Sequence, residues 1–414
     1  MKIALVNGAL GHTGSFLVKF LLEAGWKVVA TDLKSEDRDK LITKEKIFGF
    51  ERERLDCREW QEVTYIPADL TKKDTLKALF PEEIFLKDKK NFDVIFHTAS
   101  LYDYAASYDL LHLVNYNGLK NLLEVIFEHS KESRTDLPKF IHWSTCGVYG
   151  EPIYQKDRKG YIYPVDETAP FDPPNNYSQT KVEQEKLLIK TAKEHPQFKY
   201  TIIRPAPIYG PYQTYGMYHI FYTACIMGHS ILPKIFPKKK KLMMPYIHVE
   251  DLAKAAIFLA EKQEAIGEIY NVLNDSSLQE DWLECVYNEI GISFTTIPLP
   301  WFLYKIIASV ELYIAKRKEK KAKQYGMRPK FDVPMVEYLT HQYYFSNKKI
   351  KNLGFQFKYD DFRKGIFEII KWYEERGWFP SSKYEPPKYV NIEPKVPIQS
   401  KEEYKTPMEG GIVF

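Results

Sequence analysis

The stretch that decides the fold is Ile3-Ala4-Leu5-Val6-Asn7-Gly8-Ala9-Leu10-Gly11-His12-Thr13-Gly14, a short apolar run followed by three regularly spaced glycines. The apolar run predicts a buried strand, and the apolar residues from Phe16 to Leu22 predict a helix directly after the glycines. Glycine permits a tight turn and lets the backbone approach a pyrophosphate, whose charge then lies at the helix N-terminus. We therefore expect Gly8, Gly11, His12, Thr13 and Gly14 to bind a dinucleotide.

A second apolar run, Lys27 to Thr31, predicts the next strand and ends at Asp32, 18 residues after Gly14. An acid at this place binds the hydroxyls of the adenosine ribose. Because a carboxylate repels a 2′-phosphate, Asp32 favours NAD over NADP as the cofactor. Lys34 and Arg38 lie close enough in the sequence to weaken that preference.

Strand-like runs alternate with helical stretches along the first two thirds of the chain. The further runs are 63–66, 93–97, 140–144, 200–204 and 268–272. Alternation of this kind predicts an α/β protein with a Rossmann doubly wound parallel sheet, whose ligand lies outside the carboxyl ends of the strands.

The alternation weakens after Pro211, which predicts a division into two lobes. We expect residues 1–210 to form the NAD-binding Rossmann domain, completed by about 244–275. A smaller, interleaved substrate-binding lobe is expected from 211–243 and 276–380. The proline-rich residues 381–414 predict an extended or disordered tail.

Composition excludes several classes of protein. The net charge of +4 on 414 residues does not call for a nucleic-acid partner. The four cysteines are scattered and no histidines cluster, so we expect neither a metal site nor disulfides, and a cytoplasmic location. A strand that begins at residue 2 leaves no room for a signal peptide, and no apolar run approaches the roughly 20 residues of a membrane-spanning helix.

A tyrosine and a lysine stand at helical spacing in Tyr177-Ser178-Gln179-Thr180-Lys181. This spacing puts both side chains on one face of a helix. A nearby ammonium stabilises a phenolate and lowers a pKa that is ~10 in water, so Tyr177 can exchange a proton with an alcohol or ketone. Lys181 can also bind the nicotinamide ribose. Thr145 follows the 140–144 strand and can hold the substrate oxygen beside the phenol.

These motifs together resemble an extended short-chain dehydrogenase/reductase, of the NAD-dependent epimerase/dehydratase superfamily, over roughly residues 1–375. The matching motifs, in order, are Gly8-x-x-Gly11-x-x-Gly14, Asp69-Leu70, His97-Thr98-Ala99, Asn115-x-x-Gly118, Ser144-Thr145-Cys146-Gly147-Val148-Tyr149-Gly150, Tyr177-x-x-x-Lys181, Arg204-Pro205-x-x-x-Tyr209-Gly210 and Tyr246-Ile247-His248-Val249-Glu250-Asp251-Leu252-Ala253. The resemblance implies that Thr145, Tyr177 and Lys181 form the catalytic triad, supported by Asn115. It also implies that Asp69 and Leu70 flank the adenine, that Thr98 and Ala99 lie beside the pyrophosphate, and that Pro205 contacts the cofactor.

The branch of the family is indicated by two further stretches. Sugar-nucleotide dehydratases place Asp and Glu directly after the catalytic Thr, whereas this chain has Cys146 and Gly147, which cannot act as acid and base. The stretch from Pro298 to Tyr313 is similar to the 3β-hydroxysteroid and sterol-4-carboxylate 3-dehydrogenase branch. The resemblance implies that the region from Trp301 to Ala315 covers the substrate cleft and contacts a membrane, whereas an amphipathic core helix is the alternative.

We therefore expect an NAD-dependent oxidoreductase that interconverts a secondary alcohol and a ketone on a bulky apolar, steroid-like or sterol-carboxylate-like substrate. Apolar and aromatic residues near the expected cleft are candidates for binding that substrate: Tyr102, Tyr149, Ile208, Tyr209, Tyr212, Met217 and Tyr218. A nucleotide-sugar 4-epimerase and a catalytically inactive NAD-binding scaffold or sensor remain as alternatives.

The partners expected besides the small-molecule substrate are a membrane surface, through about 298–323, and a second copy of the chain. The run Lys238-Lys239-Lys240-Lys241 fits either an anionic substrate group, lipid headgroups or a solvated loop.

Overall fold

This computed structural model describes residues 1–33, 44–47, 50–53, 63–81, 85, 91–104, 106–156, 158, 162–213, 216–227, 230–324 and 333–378. The strands, in chain order, are β1 Ile3–Asn7, β2 Lys27–Thr31, β3 Lys44–Ile47, β4 Phe50–Glu53, β5 Thr64–Tyr65, β6 Val94–His97, β7 Lys139–Trp143, β8 Tyr200–Pro205, β9 Ile208–Tyr209, β10 Ile235–Pro237, β11 Met243–Met244, β12 Ile247–His248, β13 Glu268–Val272, β14 Ser277–Leu278 and β15 Ile297–Leu299. The helices are α1 His12–Glu23, α2 Lys73–Lys77, α3 Tyr108–Leu111, α4 Gly118–Ser133, α5 Asn176–Glu194, α6 Met217–Met227, α7 Val249–Glu261, α8 Gln279–Glu289, α9 Trp301–Gln324, α10 Val333–Glu337, α11 Lys348–Asn352 and α12 Phe362–Glu375.

Seven strands form the central sheet, in the order β13-β8-β7-β6-β1-β2-β5, and every neighbouring pair is parallel. The chain winds outward from β1 in both directions, so the predicted doubly wound Rossmann fold is confirmed. Each run of sequence predicted as a strand contributes one strand of this sheet.

The sheet is covered by helices on both faces because successive side chains of its strands point to opposite sides. On one face, side chains such as Val6, Val28 and Phe96 pack against α1 and α7. On the other face, Leu5, Ile95 and Phe140 pack against α2, α4 and α5. This burial of both faces explains why the strands are continuously apolar rather than alternating.

The second lobe has its own core, which is rich in aromatic side chains. The buried residues of this core include Tyr218, Phe221, Trp282, Tyr287 and Tyr373. They come from α6, α8 and α12, with the small β10–β15 and β11–β14 pairings at the edge. Strand β13 follows α6 in the chain and pairs with β8 in the central sheet.

Helix α9 begins at Trp301, where the sequence predicts a helix of amphipathic character, and it continues to Gln324. Part of its first half packs inward, through Tyr304 and Ala308. Within the described ranges, no helix combines the length and the apolar character needed to cross a bilayer.

Two regions of the sequence predictions lie largely outside the described residues. Between Leu33 and Val63 the structure describes only the antiparallel hairpin β3–β4. Lys34, Arg38 and the tail from 381 to 414 are outside the described residues.

Candidate active site

The glycine loop forms a cradle with no room for side chains. Gly8 has a φ of +81°, which favours glycine, and a Cβ added to it would lie 2.6 Å from the backbone nitrogen of Ala99. A Cβ on Gly14 would lie 2.1 Å from the carbonyl oxygen of Gly8. Helix α1 begins at His12 with Gly11 as its N-cap, so no cap side chain competes for the first helical N–H groups. This close-packed helix N-terminus fits the pyrophosphate of a dinucleotide.

Asp32 lies directly beside this loop, at the carboxyl end of β2. One of its carboxylate oxygens accepts the N–H of Leu10 at 3.0 Å, and the other accepts the N–H of Leu33 at 2.8 Å. The glycine loop therefore holds the carboxylate at the place where the ribose of a dinucleotide would lie.

The two predicted adenine neighbours are held by local contacts. Asp69 accepts hydrogen bonds from both the N–H and the hydroxyl of Thr71. Leu70 packs on helix α4 so closely that a Cβ on Gly118 would lie 2.8 Å from the Cβ of Leu70. Glycine is therefore required at position 118 of the Asn115-x-x-Gly118 motif, because a larger side chain would clash with Leu70.

The remaining predicted cofactor residues lie at the same edge of the sheet, but the side chain of His12 contacts the second lobe. The hydroxyl of Thr98 donates to the carbonyl of Asn7 at 2.8 Å, and Pro205 ends β8 opposite Val272. The ring of His12 is buried and its Nε2 lies 2.8 Å from the carbonyl oxygen of Pro211. Its side chain is thus engaged with the second lobe, and its backbone remains the part that faces the dinucleotide cradle.

Thr145 is the N-cap of a short 3-10 turn, Cys146–Tyr149, and its hydroxyl accepts the N–H of Gly147 at 3.0 Å. A Cβ on Gly147 would lie 3.0 Å from the hydroxyl of Ser178. The turn is therefore packed against the start of α5, which brings Thr145 next to the residue that follows Tyr177. The side chain of Asn175 caps α5 by accepting the N–H of Ser178 at 2.9 Å.

Tyr177 and Lys181 lie on one face of α5 and are both buried. The Lys181 ammonium donates to the carbonyl of Trp143 at 2.8 Å and lies 5.8 Å from the centre of the Tyr177 ring. Burial lowers the pKa of Lys181 to about 7. Burial also raises the pKa of Tyr177, and a hydrogen bond with Ser100 partly opposes that rise. The prediction that Lys181 gives Tyr177 a lowered pKa is therefore wrong for this arrangement, because the desolvation of the phenolate dominates.

Asn115 lies in a π-helical turn, His112–Asn117, and joins the loop before it to α5. Its carbonyl oxygen accepts the N–H of Leu101 at 2.7 Å and the hydroxyl of Ser100 at 3.1 Å. Its amide nitrogen donates to the hydroxyl of Thr180 at 3.1 Å. Asn115 thus positions Ser100, the group that hydrogen-bonds Tyr177, and this agrees with the supporting role that the resemblance implies.

Aromatic rings surround Tyr177. Tyr102 meets its ring edge-on at a centroid distance of 4.8 Å, and Tyr104 does so at 5.7 Å. Tyr338 of the second lobe packs on the core cluster that includes Cys146 and lies close enough to Tyr104 to raise the pKa of that phenol. Sequence reasoning identified Tyr102 but missed Tyr104, Ser100 and Tyr338. Tyr104 could have been found from the sequence, because it stands two residues after Tyr102. Nothing in the sequence marks Tyr338.

A buried ion pair lies behind the site. Arg204 donates to both carboxylate oxygens of Glu185, at 2.9 and 2.6 Å, and the hydroxyl of Ser144 also donates to Glu185. Tyr149 belongs to this network, because Arg204 donates to its phenolic oxygen at 2.6 Å and the phenol donates to Asn271 at 2.7 Å. Tyr149 was predicted to bind substrate; the structure instead gives it a structural role in holding β8 against the loop after β7.

Most of the other predicted substrate residues lie in the second lobe's core. Tyr209, Met217 and Tyr218 are buried there, and the phenol of Tyr218 donates to the carbonyl of Trp378. Tyr212, which has a positive φ of 62°, meets the ring of Trp372 edge-on, and Ile208 lies in the β9–β12 pairing. The rings that pack on Tyr177 are those of Tyr102 and Tyr104 instead, because the aromatic side chains of the second lobe are used to fill its own core.

A model of the NAD dependent epimerase/dehydratase family matches residues 4–272. The chain therefore belongs to this family, an enzyme family of extended short-chain dehydrogenases/reductases, and NAD is the cofactor that its dinucleotide site fits.

Individual relatives are distant and differ in activity. Anthocyanidin reductase of Arabidopsis thaliana is 24% identical over 91% of this chain and 96% of its own length. The NADPH-dependent methylglyoxal reductase of Saccharomyces cerevisiae is 23% identical over 71% of this chain and 84% of its own length. The bifunctional protein GAL10 of Kluyveromyces lactis is 27% identical over 49% of this chain, and the match spans about a quarter of that protein, 26%.

Solved structures show the same fold. The UDP-glucose 4-epimerase of Thermotoga maritima superposes with a TM-score of 0.61 at 19% identity, covering 91% of this chain and 99% of that one. The comparisons support reductases and epimerases alike and do not distinguish the 3β-hydroxysteroid branch.

Proposed function

We propose that this protein oxidises a secondary alcohol, or reduces the corresponding ketone, on a bulky apolar substrate such as a hydroxysteroid or a sterol carboxylate. The observation that supports this substrate class is the aromatic surround of Tyr177. A pocket that holds a large apolar molecule needs apolar walls with few charges. Tyr102 and Tyr104 provide such walls beside the catalytic phenol, and Tyr338 lies near Tyr104. The ammonium of Lys181 donates to the carbonyl of Trp143.

Each residue of the site has its own role in the reaction. Tyr177 accepts the hydroxyl proton during oxidation and returns it during reduction. Thr145, packed beside the start of α5, holds the substrate oxygen near that phenol. Lys181 binds the nicotinamide ribose, and Asn115 positions Ser100 on Tyr177. NAD, when bound, accepts or supplies the hydride.

The test is NAD reduction with a panel of hydroxysteroids, β-hydroxy acids and UDP- or GDP-sugars. We expect turnover with at least one apolar secondary alcohol and a dissociation constant for UDP, on the NAD-loaded enzyme, no better than about millimolar, only ~4 kcal/mol of binding free energy. Micromolar UDP binding together with interconversion of UDP-sugars would contradict the apolar substrate and favour a 4-epimerase.

We further propose that residues 298–323 contact a membrane surface. Along α9, six apolar side chains that face solvent recur at helical spacing: Phe302, Leu303, Ile306, Val310, Tyr313 and Ile314, each 39% exposed or more. The same helix continues with the exposed cations Lys316, Arg317, Lys318, Lys320 and Lys321. An apolar stripe next to a cluster of cations is complementary to an anionic lipid surface.

Co-sedimentation with phosphatidylserine-containing vesicles tests this contact. We expect the wild type to sediment and the double variant Ile306→Asp/Val310→Asp to remain in the supernatant. Phe367→Asp, which changes an exposed apolar residue on α12, is the matched control and should sediment like the wild type. A wild type that does not sediment, but forms a dimer that the double variant abolishes in light scattering, would assign the stripe to a second copy of the chain instead.

A further inference from the structure

One lysine of the 238–241 run differs from its neighbours. Lys240 is half-buried, with its ammonium 4.4 Å from the centre of the Trp301 ring and 3.3 Å from the carbonyl oxygen of Thr340. Lys238 and Lys239 are exposed, and Lys241 forms a salt bridge with Glu280. The four lysines of the run therefore differ in their surroundings, and Lys240 is the one that is half-buried.

Two more cations lie around Lys240. The ammonium of Lys305 lies 5.9 Å from the centre of the same Trp301 ring. Burial lowers the pKa of Lys240, and Lys305 and Lys156 lower it further, while Glu151 opposes them. Several positive charges therefore converge on one partly desolvated ammonium.

Glu151, the acid whose charge acts on Lys240, already has partners. Glu151 accepts the N–H of Gln342 at 2.7 Å and lies 3.8 Å from the ring of His341. Among the residues that the structure describes, no carboxylate oxygen lies within 4.0 Å of the ammonium of Lys240 or Lys305. A partly buried ammonium that no carboxylate contacts directly is stabilised when a ligand supplies an anionic group.

Residues 338–343 connect this cluster to the candidate active site. Thr340 accepts the hydrogen bond of Lys240, and two residues earlier Tyr338 packs on the cluster of Cys146, next to the catalytic Thr145. The carbonyl of Tyr338 is held by the amide of Gln279 at 2.8 Å. A substrate that extends from Tyr177 past Tyr338 would therefore reach Lys240 at its far end.

We propose that Lys240 and Lys305, whose ammonium groups both lie near the Trp301 ring, bind an anionic group, a carboxylate or a phosphate, at the far end of an otherwise apolar substrate. The proposal rests on the proposed function, because it assigns a second recognition element to the same substrate. Attraction between an anion and the Lys240 ammonium is strengthened by the partial desolvation of that ammonium. The substrate class is then an amphipathic acid rather than a neutral sterol.

Calorimetry on the full-length, NAD-loaded enzyme tests this site with two probes that differ only in charge, decanoate and decanamide. We expect the wild type to bind decanoate at least tenfold more tightly than decanamide. Lys240→Met keeps the apolar stem on Trp301 and should remove the preference; Lys305→Met should reduce it independently. Lys238→Met, which changes an exposed lysine of the same run, is the matched control and should keep the preference.

Equal affinity of the wild type for decanoate and decanamide would overturn the proposal, as would a preference that survives in the Lys240→Met/Lys305→Met double variant. If Lys240→Met instead weakens sedimentation with phosphatidylserine vesicles and leaves the decanoate preference intact, the anion belongs to a lipid headgroup and the substrate assignment fails. Micromolar binding of UDP that depends on Lys240 would retain the anion site and contradict the apolar substrate. Absence of turnover with every alcohol would contradict the proposed function alone, because the binding preference is measured without turnover.

Discussion

The catalytic end of the central sheet and the second lobe use their buried side chains differently. At the ends of β7 and β8, buried polar groups are tied together, as in the network of Ser144, Glu185 and Arg204. In the second lobe, the buried volume is filled by rings such as Tyr209, Trp282 and Tyr373. A polar residue buried at a strand end must be hydrogen-bonded or ion-paired, so its residue type restricts the roles that it can have. A buried tyrosine in an aromatic core fills space there, so its residue type alone says little about its function.

The strongest test of the catalytic end is Tyr177→Phe. Removal of the phenolic proton relay should reduce turnover by ~10²–10⁴-fold, the usual contribution of general acid–base catalysis. NAD binding should be nearly unchanged, because the ring and its packing on Tyr102 and Tyr104 remain. Steady-state kinetics and NAD titration measure both. A variant that keeps more than a few per cent of the wild-type rate would remove Tyr177 from the role of base.

The buried ion pair gives the largest expected effect on stability. Glu185→Leu leaves the Arg204 guanidinium buried without its carboxylate, which should reduce the free energy of unfolding by about 3–5 kcal/mol. The double variant Glu185→Leu/Arg204→Met removes both charges and should be more stable than the single variant, as measured by denaturant unfolding. If the two variants are equally unstable, the pair is not the element that organises the buried end of the sheet.

Lys181 predicts a pH dependence of stability. Its pKa is about 7 in the folded protein, against an ordinary value of 10.5. Between these values the unfolded chain binds a proton that the folded chain does not, so stability rises with pH. The unfavourable buried charge is fully present below about pH 7 and is lost as the pH rises. From pH 7 to pH 10, in the absence of NAD, the wild type should gain roughly 2–4 kcal/mol relative to Lys181→Met.

Chemical unfolding at several pH values measures this difference. Lys186→Met changes an exposed lysine on the same helix and should follow the wild type at every pH. A constant difference between the wild type and Lys181→Met across this range would show that the ammonium is not desolvated in the folded protein.

Cofactor choice should change by about tenfold, or ~1.4 kcal/mol, when the charge of Asp32 is removed. Asp32→Asn keeps an acceptor for the N–H of Leu10 but no longer repels a 2′-phosphate, so the preference for NAD over NADP should narrow or reverse. The ratio of kcat/KM for the two cofactors is the measurement. A wild type that prefers NADP would indicate that Lys34 or Arg38 controls the pocket.

The sequence predicted most of the catalytic end because parallel strands bring their carboxyl ends to one edge. Gly8, Asp32, Thr98 and Thr145 each follow a strand, so locating the strands also located the residues. The pKa of Tyr177 could not be predicted in this way, since it depends on burial and on Ser100, which reaches the phenol through the loop that Asn115 holds.

The second lobe was less predictable for a physical reason. Hydrophobic burial is non-directional, so an aromatic-rich sequence fits either a core or a pocket wall. Tyr209 and Tyr218 lie in the core of the second lobe, whereas Tyr338 packs both on that core and on the cluster that includes Cys146, although all three are tyrosines in apolar surroundings. Only these three-dimensional contacts separate Tyr338 from the other two tyrosines.

The smallest expected effects come from substitutions of two tyrosines in the core of the second lobe. They test whether these tyrosines are core residues or bind the substrate. The phenol of Tyr209 is buried without a hydrogen-bond partner among the described residues, so Tyr209→Phe should be neutral or stabilise the protein by up to ~1 kcal/mol. The phenol of Tyr218 donates to the carbonyl of Trp378 at 2.7 Å, so Tyr218→Phe should destabilise it by ~1 kcal/mol. Both variants should keep the wild-type KM for an apolar alcohol, because neither ring packs on Tyr177. If Tyr209→Phe raises that KM while thermal stability is unchanged, its hydroxyl touches the substrate, and the sequence-based prediction for Tyr209 is right after all.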